Sequence, residues 1–468
     1  MPEHILFLTG RLAKPRVAKV LAAMQPAAFT HTVHDVGVKV AALMTGDLIR
    51  RRLPPPLQAD RVLVPGRCRA DLDSLAAEYG IPFQRGPDDI TDLPEFFGQK
   101  GKPRDLSRYD VRIFAEIVEA PTLGVAGILQ RSADYRRGGA DVIDLGCLPD
   151  TPFPHLEEAV RALAAAGHQV SVDSADPDEL RRGALAGAHF LLSLTEETLP
   201  LLDDVDAVPV LIPARHGDLD SLLRAMDRLD AAGRRYLADP ILDPIHFGFT
   251  ESLGRYAALR RLRPNAEILM GTGNLTELTD ADSTGVTAVL MGIVSELHVA
   301  NVLVVQVSPH CRRAVPETDA ARRLMFAARE EGSLPSGVSA ALLCLRDRKP
   351  LPYSADEIAE MAAQVADDNF RIEVAADGLH VYSRQGHHVA TDAFDIFPHL
   401  GVEQDGGHGF YLGHELAKAE IAWRLGKRYV QDQPLGWGIA VDRAPEDLLR
   451  FKEAGTTLPA KRKRRSKR

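Results

Sequence analysis

Between residue 111 and about residue 330 one pattern recurs. A short run rich in Val, Ile and Leu ends in a polar residue and gives way to a helical stretch such as EEAVRALAAAG or LDSLLRAMDRLDAAG. The runs are VRIFAEIVEAP, GADVIDLGCLPD, HQVSVDSADPDEL, GAHFLLSLTEET, VPVLIPARHGD, RRYLADPILDP, NAEILMGTGNLTEL, TAVLMGIVSEL and VANVLVVQVSPH. Near-continuous apolar runs of this length suit parallel strands buried on both faces. Eight or so strand-helix units in about 220 residues match a (β/α)8 barrel better than a doubly wound sheet. Polar residues stand just after the runs: Asp144, Asp173, Ser193, Asp239, Thr272, Asn274, Ser308 and His310. The carboxyl ends of barrel strands are where such folds keep their chemistry.

Two further segments flank the expected barrel. Residues 1–104 alternate strand-like runs (HILFLTG, ADRVLVPG) with helical ones (PRVAKVLAAM, KVAALMTGDLIRRRL, DLDSLAAEYG) and predict a small α/β domain with a parallel sheet. Pro54, Pro55 and Pro56 break the second helix. The linker GQKGKPRDLSRYD separates this segment from the barrel, read as 111–330. Residues 350–455 predict an α+β domain. It opens on a helix capped by Ser354 with Glu357 as the box partner, continues with strand, Asp-Gly turn and strand in FRIEVAADGLHVYSRQGHHVATD, and ends in a helix in HGFYLGHELAKAEIAWRLGKRYVQD.

Composition narrows the function classes. The 468 residues carry net charge −9, and the last eight, KRKRRSKR, hold seven of the basic groups. The body is therefore more acidic than the total, which argues against a nucleic-acid-binding core. The tail, 456–468, is expected to be disordered and dispensable for chemistry, because like charge at this density cannot bury apolar area. No apolar run approaches the roughly 18 residues that span a bilayer. The four cysteines, Cys68, Cys147, Cys311 and Cys344, form no CxxC pair and suit a reducing cytoplasm. GxGxxG and the P-loop lysine pattern are missing, so no nucleotide site is indicated.

The motifs in the barrel segment form a series: GADVIDLG at 139–146, SVDS at 171–174, GAHFLLS at 187–193, Asp239-Pro240, and His246-Phe247-Gly248-Phe249. In order and spacing they resemble the dihydropteroate synthase family. The departures are local. Glu116, Glu119 and Pro121 stand where the family has an Asn-containing loop, CLPDTP at 147–152 replaces its second loop, GTGNLT at 271–276 replaces a Ser-Arg-Lys, and Ser308-Pro309-His310 replaces a final R-x-H. The pterin-reading half of the site thus looks kept, and the half for diphosphate and p-aminobenzoate does not. The segment GTGNLTELTDADS at 271–283, with GFYLGHELAKAE and YVQDQPLGWG near the end, resembles the dihydropteroate synthase-related proteins of methanogens and methylotrophs over nearly the whole chain. The resemblance implies a transferase of tetrahydromethanopterin biosynthesis and C1 metabolism. Its amine would be 4-(β-D-ribofuranosyl)aminobenzene 5′-phosphate, and homodimers are common among such synthases.

The residues themselves support a pterin site. A pterin presents a 2-amino group and ring N–H donors along one edge, and a carboxylate accepts two such bonds in a fork. Asp173 and Asp239 are the candidate catalytic residues; Asp144, Ser193, Thr272, Asn274, Ser308 and His310 are candidate substrate-binding residues. The bland alternative for Asp173 is a helix cap, although Asp176 fits that role better. Thr272, Asn274, Thr276, Thr279, Asp280, Asp282 and Ser283 crowd one loop that could hold diphosphate with Mg²⁺, or could be an ordinary turn with capping residues. Arg215, His216, Arg312 and Arg313 are read first as surface groups, with the amine's phosphate as the alternative ligand. Two other functions stay open. One is a pterin-binding methyltransferase acting with a corrinoid protein, and the other a non-catalytic pterin-binding assembly protein.

Overall fold

The computed structural model describes residues 2–24, 28–38, 41, 44–99 and 105–442. The basic tail therefore lies outside the described residues. These residues fall into two compact units. One comprises residues up to 99 together with Leu345–Gly436, and the other Asp105–Cys344 together with Trp437–Asp442.

The first unit begins with β1 (His4–Thr9), α1 (Lys14–Ala23), β2 (Thr30–Asp35), α2 (Gly46–Arg52), β3 (Arg61–Val64), α3 (Leu72–Tyr79), β4 (Phe83–Arg85) and α4 (Leu93–Phe96). The four strands form a parallel sheet in the order β2-β1-β3-β4. Successive side chains of a strand point to opposite faces. Accordingly Leu6 and Leu8 join one buried cluster while Ile5 and Phe7 join another, and helices cover both sides. The second helix is shorter than the run KVAALMTGDLIRRRL predicts. It starts after Thr45, whose hydroxyl accepts the Leu48 N–H at 3.4 Å, and stops at Arg52 before the prolines.

The second unit is the barrel. Its elements are β5 (Arg112–Ile117), α5 (Val125–Arg137), β6 (Val142–Gly146), α6 (Leu156–Ala165), β7 (Gln169–Asp173), α7 (Pro177–Leu185), β8 (Phe190–Leu194), β9 (Val208–Leu211), α8 (Leu219–Ala231), β10 (Leu237–Ala238), α9 (Phe249–Leu262), β11 (Leu269–Gly271), α10 (Gly273–Thr276), α11 (Ser283–Glu296), β12 (Asn301–Val304) and α12 (Ala314–Glu330). The eight strands are parallel in the order β10-β9-β8-β7-β6-β5-β12-β11, and a bridge from Ala238 to Ile268 brings the two ends together. The expected (β/α)8 architecture is therefore present, with a six-residue 3₁₀ helix, Leu199–Asp204, in place of the α-helix between β8 and β9. One run departs from the expectation. TAVLMGIVSEL is not a strand but most of α11, whose buried residues Thr287, Leu290, Met291, Val294 and Ser295 follow helical spacing. A short apolar run alone does not separate a buried strand from a buried helix.

The first unit resumes with α13 (Ala355–Ala363), β13 (Arg371–Ala375), β14 (Gly378–Ser383), β15 (Gly386–Ala390), α14 (Ala393–Ile396) and α15 (Gly406–Leu425). The capping box of Ser354 and Glu357 is formed as the sequence predicts. The hairpin turns at Ala376-Asp377, one residue before the expected Asp-Gly, because Gly378 already pairs with Ala375, and a second turn at Arg384-Gln385 adds a third antiparallel strand. No helix among the described residues is long and apolar enough to cross a membrane, and all four cysteines are free thiols.

Candidate active site

The barrel interior is built in two layers. Phe114, Val142, Phe190, Leu192, Val210, Leu237 and Leu269 form a buried cluster made only of strand residues, packed with Val208 and Leu303. They fill the ring and make an apolar floor. Arg112 lies below it, donating to Asn301 Oδ1 and Glu267 Oε2, each at 2.8 Å. Two residues further along a strand the side chain returns to the same face. Phe114 is thus followed by Glu116, Val142 by Asp144, and Leu237 by Asp239, while Asp173 is two residues beyond Ser171. The register places Glu116 beside Asp144, Asp144 beside Ser171, and Gly146 beside Asp173. The upper layer is therefore acidic.

Its members differ in surroundings. Asp144 is fully buried; Ser171 Oγ donates to its Oδ1, and its Oδ2 has no hydrogen-bond partner among the described residues. One carboxylate oxygen each from Glu116, Asp144 and Asp173 lie within 4.8 Å of one another. Asp239 accepts from the Tyr256 hydroxyl at 2.5 Å and the Ile241 N–H at 2.8 Å, both at Oδ1. Arg255 holds the loop after β10 by donating to the carbonyls of Pro240 and Ile241 and to Asp243 Oδ2, and His216 Nε2 bonds Asp243 Oδ1.

Burial penalises a charged carboxylate, and neighbouring carboxylates add to the penalty. Glu116 is pushed up to about 7 by burial and then by Asp173. Asp173 is pushed up to about 7 by burial and then by Asp239. Burial, Asp173 and Glu116 carry Asp144 well above the carboxylate range, against the opposing bond from Ser171. Burial raises Asp239 to about 6, with the Tyr256 and Ile241 bonds and Arg255 pulling it back. Among the described residues no lysine or arginine forms an ion pair with Glu116, Asp144 or Asp173.

The structure brings Asp144, Asp173 and Asp239 to one end of the barrel. Asp173 caps no helix: Asp176 does, accepting the Asp178 N–H at 2.9 Å. Ser193 stands on β8, where the pairing with β9 shifts register. Several side chains of the 271–283 segment are engaged in the fold. Thr272 Oγ1 donates to Leu303 O at 3.0 Å, Asn274 Nδ2 to Leu242 O at 2.7 Å, and Ser283 Oγ to Glu317 Oε2 at 2.7 Å. Asp280 and Asp282 are exposed. Ser308 offers its backbone N–H to Glu277 at 2.9 Å, and His310 Nε2 meets Thr276 O at 3.2 Å. Arg313 is held by Asp442 and the Ile439 carbonyl.

In the sequence Glu116 stands out only as a departure from a loop; its place in the acidic layer comes from the pairing of β5 with β6. A charged residue two positions after a buried Phe in an apolar strand was the available signal. Gly146 makes room for it: a Cβ there would lie 2.6 Å from Glu116 Oε1 and 3.1 Å from the Val118 Cα. Gly146→Ala is expected to displace Glu116 and lower stability by about 1–2 kcal/mol through overpacking, read as a shifted urea midpoint with unchanged slope.

The profile of a family of unknown function, DUF6513, matches residues 3–88. The uncharacterised protein MJ0107 of Methanocaldococcus jannaschii is 27% identical, over 92% of this chain and 98% of its own. Among solved structures, the dihydropteroate synthase of Vibrio fischeri ES114 has TM-score 0.39 and 12% identity over 48% of this chain and 95% of its own. The Thermus thermophilus enzyme in complex with 6HMPPP has TM-score 0.37 and 22% identity, over 48% and 95% respectively. The Xanthomonas albilineans enzyme has TM-score 0.37 and 20% identity, over 48% and 94%.

Proposed function

We propose that the barrel binds a pterin and condenses 6-hydroxymethyl-dihydropterin diphosphate with an aryl amine, in the cytoplasm. We take the amine to be 4-(β-D-ribofuranosyl)aminobenzene 5′-phosphate, for tetrahydromethanopterin synthesis, on the strength of the sequence resemblance. The acidic layer carries the proposal. Asp173 and Asp239 would accept the ring N–H and 2-amino donors of the pterin edge, with Asp239 held in place by Tyr256 and Ile241. The floor of Phe114, Phe190 and Leu192 closes the barrel beneath them.

The reaction needs no protein nucleophile. The C–O bond to diphosphate breaks with its electron pair, leaving positive charge on the pterin methylene. The aryl nitrogen attacks that carbon, the C–N bond forms, and the nitrogen loses a proton. Preorganised carboxylates in a water-poor site stabilise developing positive charge. A second reading, a pterin methyltransferase, is favoured by one observation: the carboxylate cluster has no arginine or lysine ion-paired to it, among the described residues, that could turn to a departing diphosphate. Mass spectrometry after incubation with the dihydropterin diphosphate and a panel of aryl amines separates the two. The condensed product is expected with the ribosyl amine phosphate and much less with p-aminobenzoate. Pterin binding with no condensation for any amine would sink the proposal in favour of the methyltransferase or the non-catalytic reading.

A further inference from the structure

We propose that Glu116, Asp144 and Asp173 form a binding site for a hard divalent cation, Mg²⁺ or Mn²⁺. Three carboxylate oxygens from three adjacent strands lie within 4.8 Å of one another. Ligands of an octahedral ion with bonds of about 2.1 Å are about 3.0 Å apart when adjacent and about 4.2 Å apart when opposite. The three side chains would close inward on the ion to reach those separations. The ligand atoms are all oxygen, which selects Mg²⁺ or Mn²⁺ over softer metals.

Acidic residues often gather without an ion, so the decisive feature is separate. Asp144 Oδ2 is fully buried and has no hydrogen-bond partner among the described residues, while Oδ1 is held by Ser171. Leaving a buried acceptor unpaired costs about 1–3 kcal/mol, and more if it is charged. A cation satisfies that oxygen and offsets the repulsion among the three groups. Gly146 adds to the picture, because any larger residue would push Glu116 out of the cluster. The site lies apart from the 271–283 segment that the sequence suggested for Mg²⁺. There Thr272, Asn274 and Ser283 are engaged by the fold. In the condensation proposed above, the ion would bring positive charge to an otherwise acidic barrel end; that link rests on the earlier proposal, whereas the site itself does not.

Metal-free full-length chain is titrated with Mn²⁺ at pH 8, and the free-ion signal is followed by electron paramagnetic resonance. One Mn²⁺ per chain is expected, displaced by excess Mg²⁺. Glu116→Gln and Asp144→Asn should each weaken binding at least tenfold, while Glu158→Gln, an exposed helix carboxylate, should not. Circular dichroism confirms folding; should one variant misfold, the other decides. No stoichiometric binding, or equal binding in the folded cluster variants, overturns the proposal. Pterin affinity is measured on the same metal-free chain. If it persists while Mn²⁺ binding fails, the cation site alone falls; if both fail, the functional proposal falls too.

Discussion

Asp173→Asn is expected to weaken pterin binding at least roughly tenfold while leaving the melting temperature unchanged or raised. The substitution keeps the shape of the side chain but turns one acceptor oxygen into an N–H₂ donor facing the donors of the pterin edge. Losing a charge-assisted hydrogen bond costs about 1.5–3 kcal/mol, and 1.4 kcal/mol is a factor of about ten in affinity. Stability should not fall, because Asp173 caps no helix and stands in a cluster of like charges. Fluorescence titration with a pterin and a thermal melt on the same variant test both halves. Unchanged affinity with a lowered melting temperature would assign Asp173 a structural role.

The metal-free chain is expected to lose stability as pH rises from about 5 to 8. The folded-state values of Glu116 and Asp173 lie near 7 and that of Asp239 near 6. In the unfolded chain these groups release their protons near pH 4. Between these limits the folded state binds more protons, so stability falls with pH through the window and levels off above it. The stabilisation is fully present below the unfolded values and lost as pH rises through the folded ones. Solvent reaching Glu116, Asp173 and Asp239 screens part of the effect, and a total of roughly 2–5 kcal/mol is expected. Urea midpoints at pH 5, 6, 7 and 8 in the presence of a chelator would show it. In a Glu116→Gln, Asp173→Asn double variant the slope should flatten. A parent chain whose stability rises through this window would show that the carboxylates are paired rather than crowded.

The pattern of apolar runs and helices was enough to read the barrel, because each strand is buried on both faces and each helix carries its own period. The GADVIDLG and SVDS motifs likewise mark Asp144 and Asp173 as residues at or near strand ends, which is where β6 and β7 carry them. Local chemistry was as legible: the Ser354–Glu357 box and the Asp176 cap depend only on neighbours within three residues. The run TAVLMGIVSEL marks where that legibility ends. Its burial comes from packing in the barrel unit and covers a helical face of α11, which the apolar residues alone did not distinguish from a strand.

The acidic layer belonged to the tertiary structure alone. Glu116 and Asp144 are 28 residues apart in sequence, and only the parallel register of β5 and β6 sets them side by side. The same register leaves Asp144 Oδ2 buried without a donor among the described residues. Conversely, Thr272 and Asn274 carry side chains suited to a ligand but use them on Leu303 and Leu242 of neighbouring strands and loops. By itself the sequence determined most of the elements and which polar residues follow the barrel strands, since those follow from periodicity and near neighbours. Which of those residues converge, and at what electrostatic cost, was decided by closure of the barrel, because convergence depends on strand pairings between residues distant along the chain.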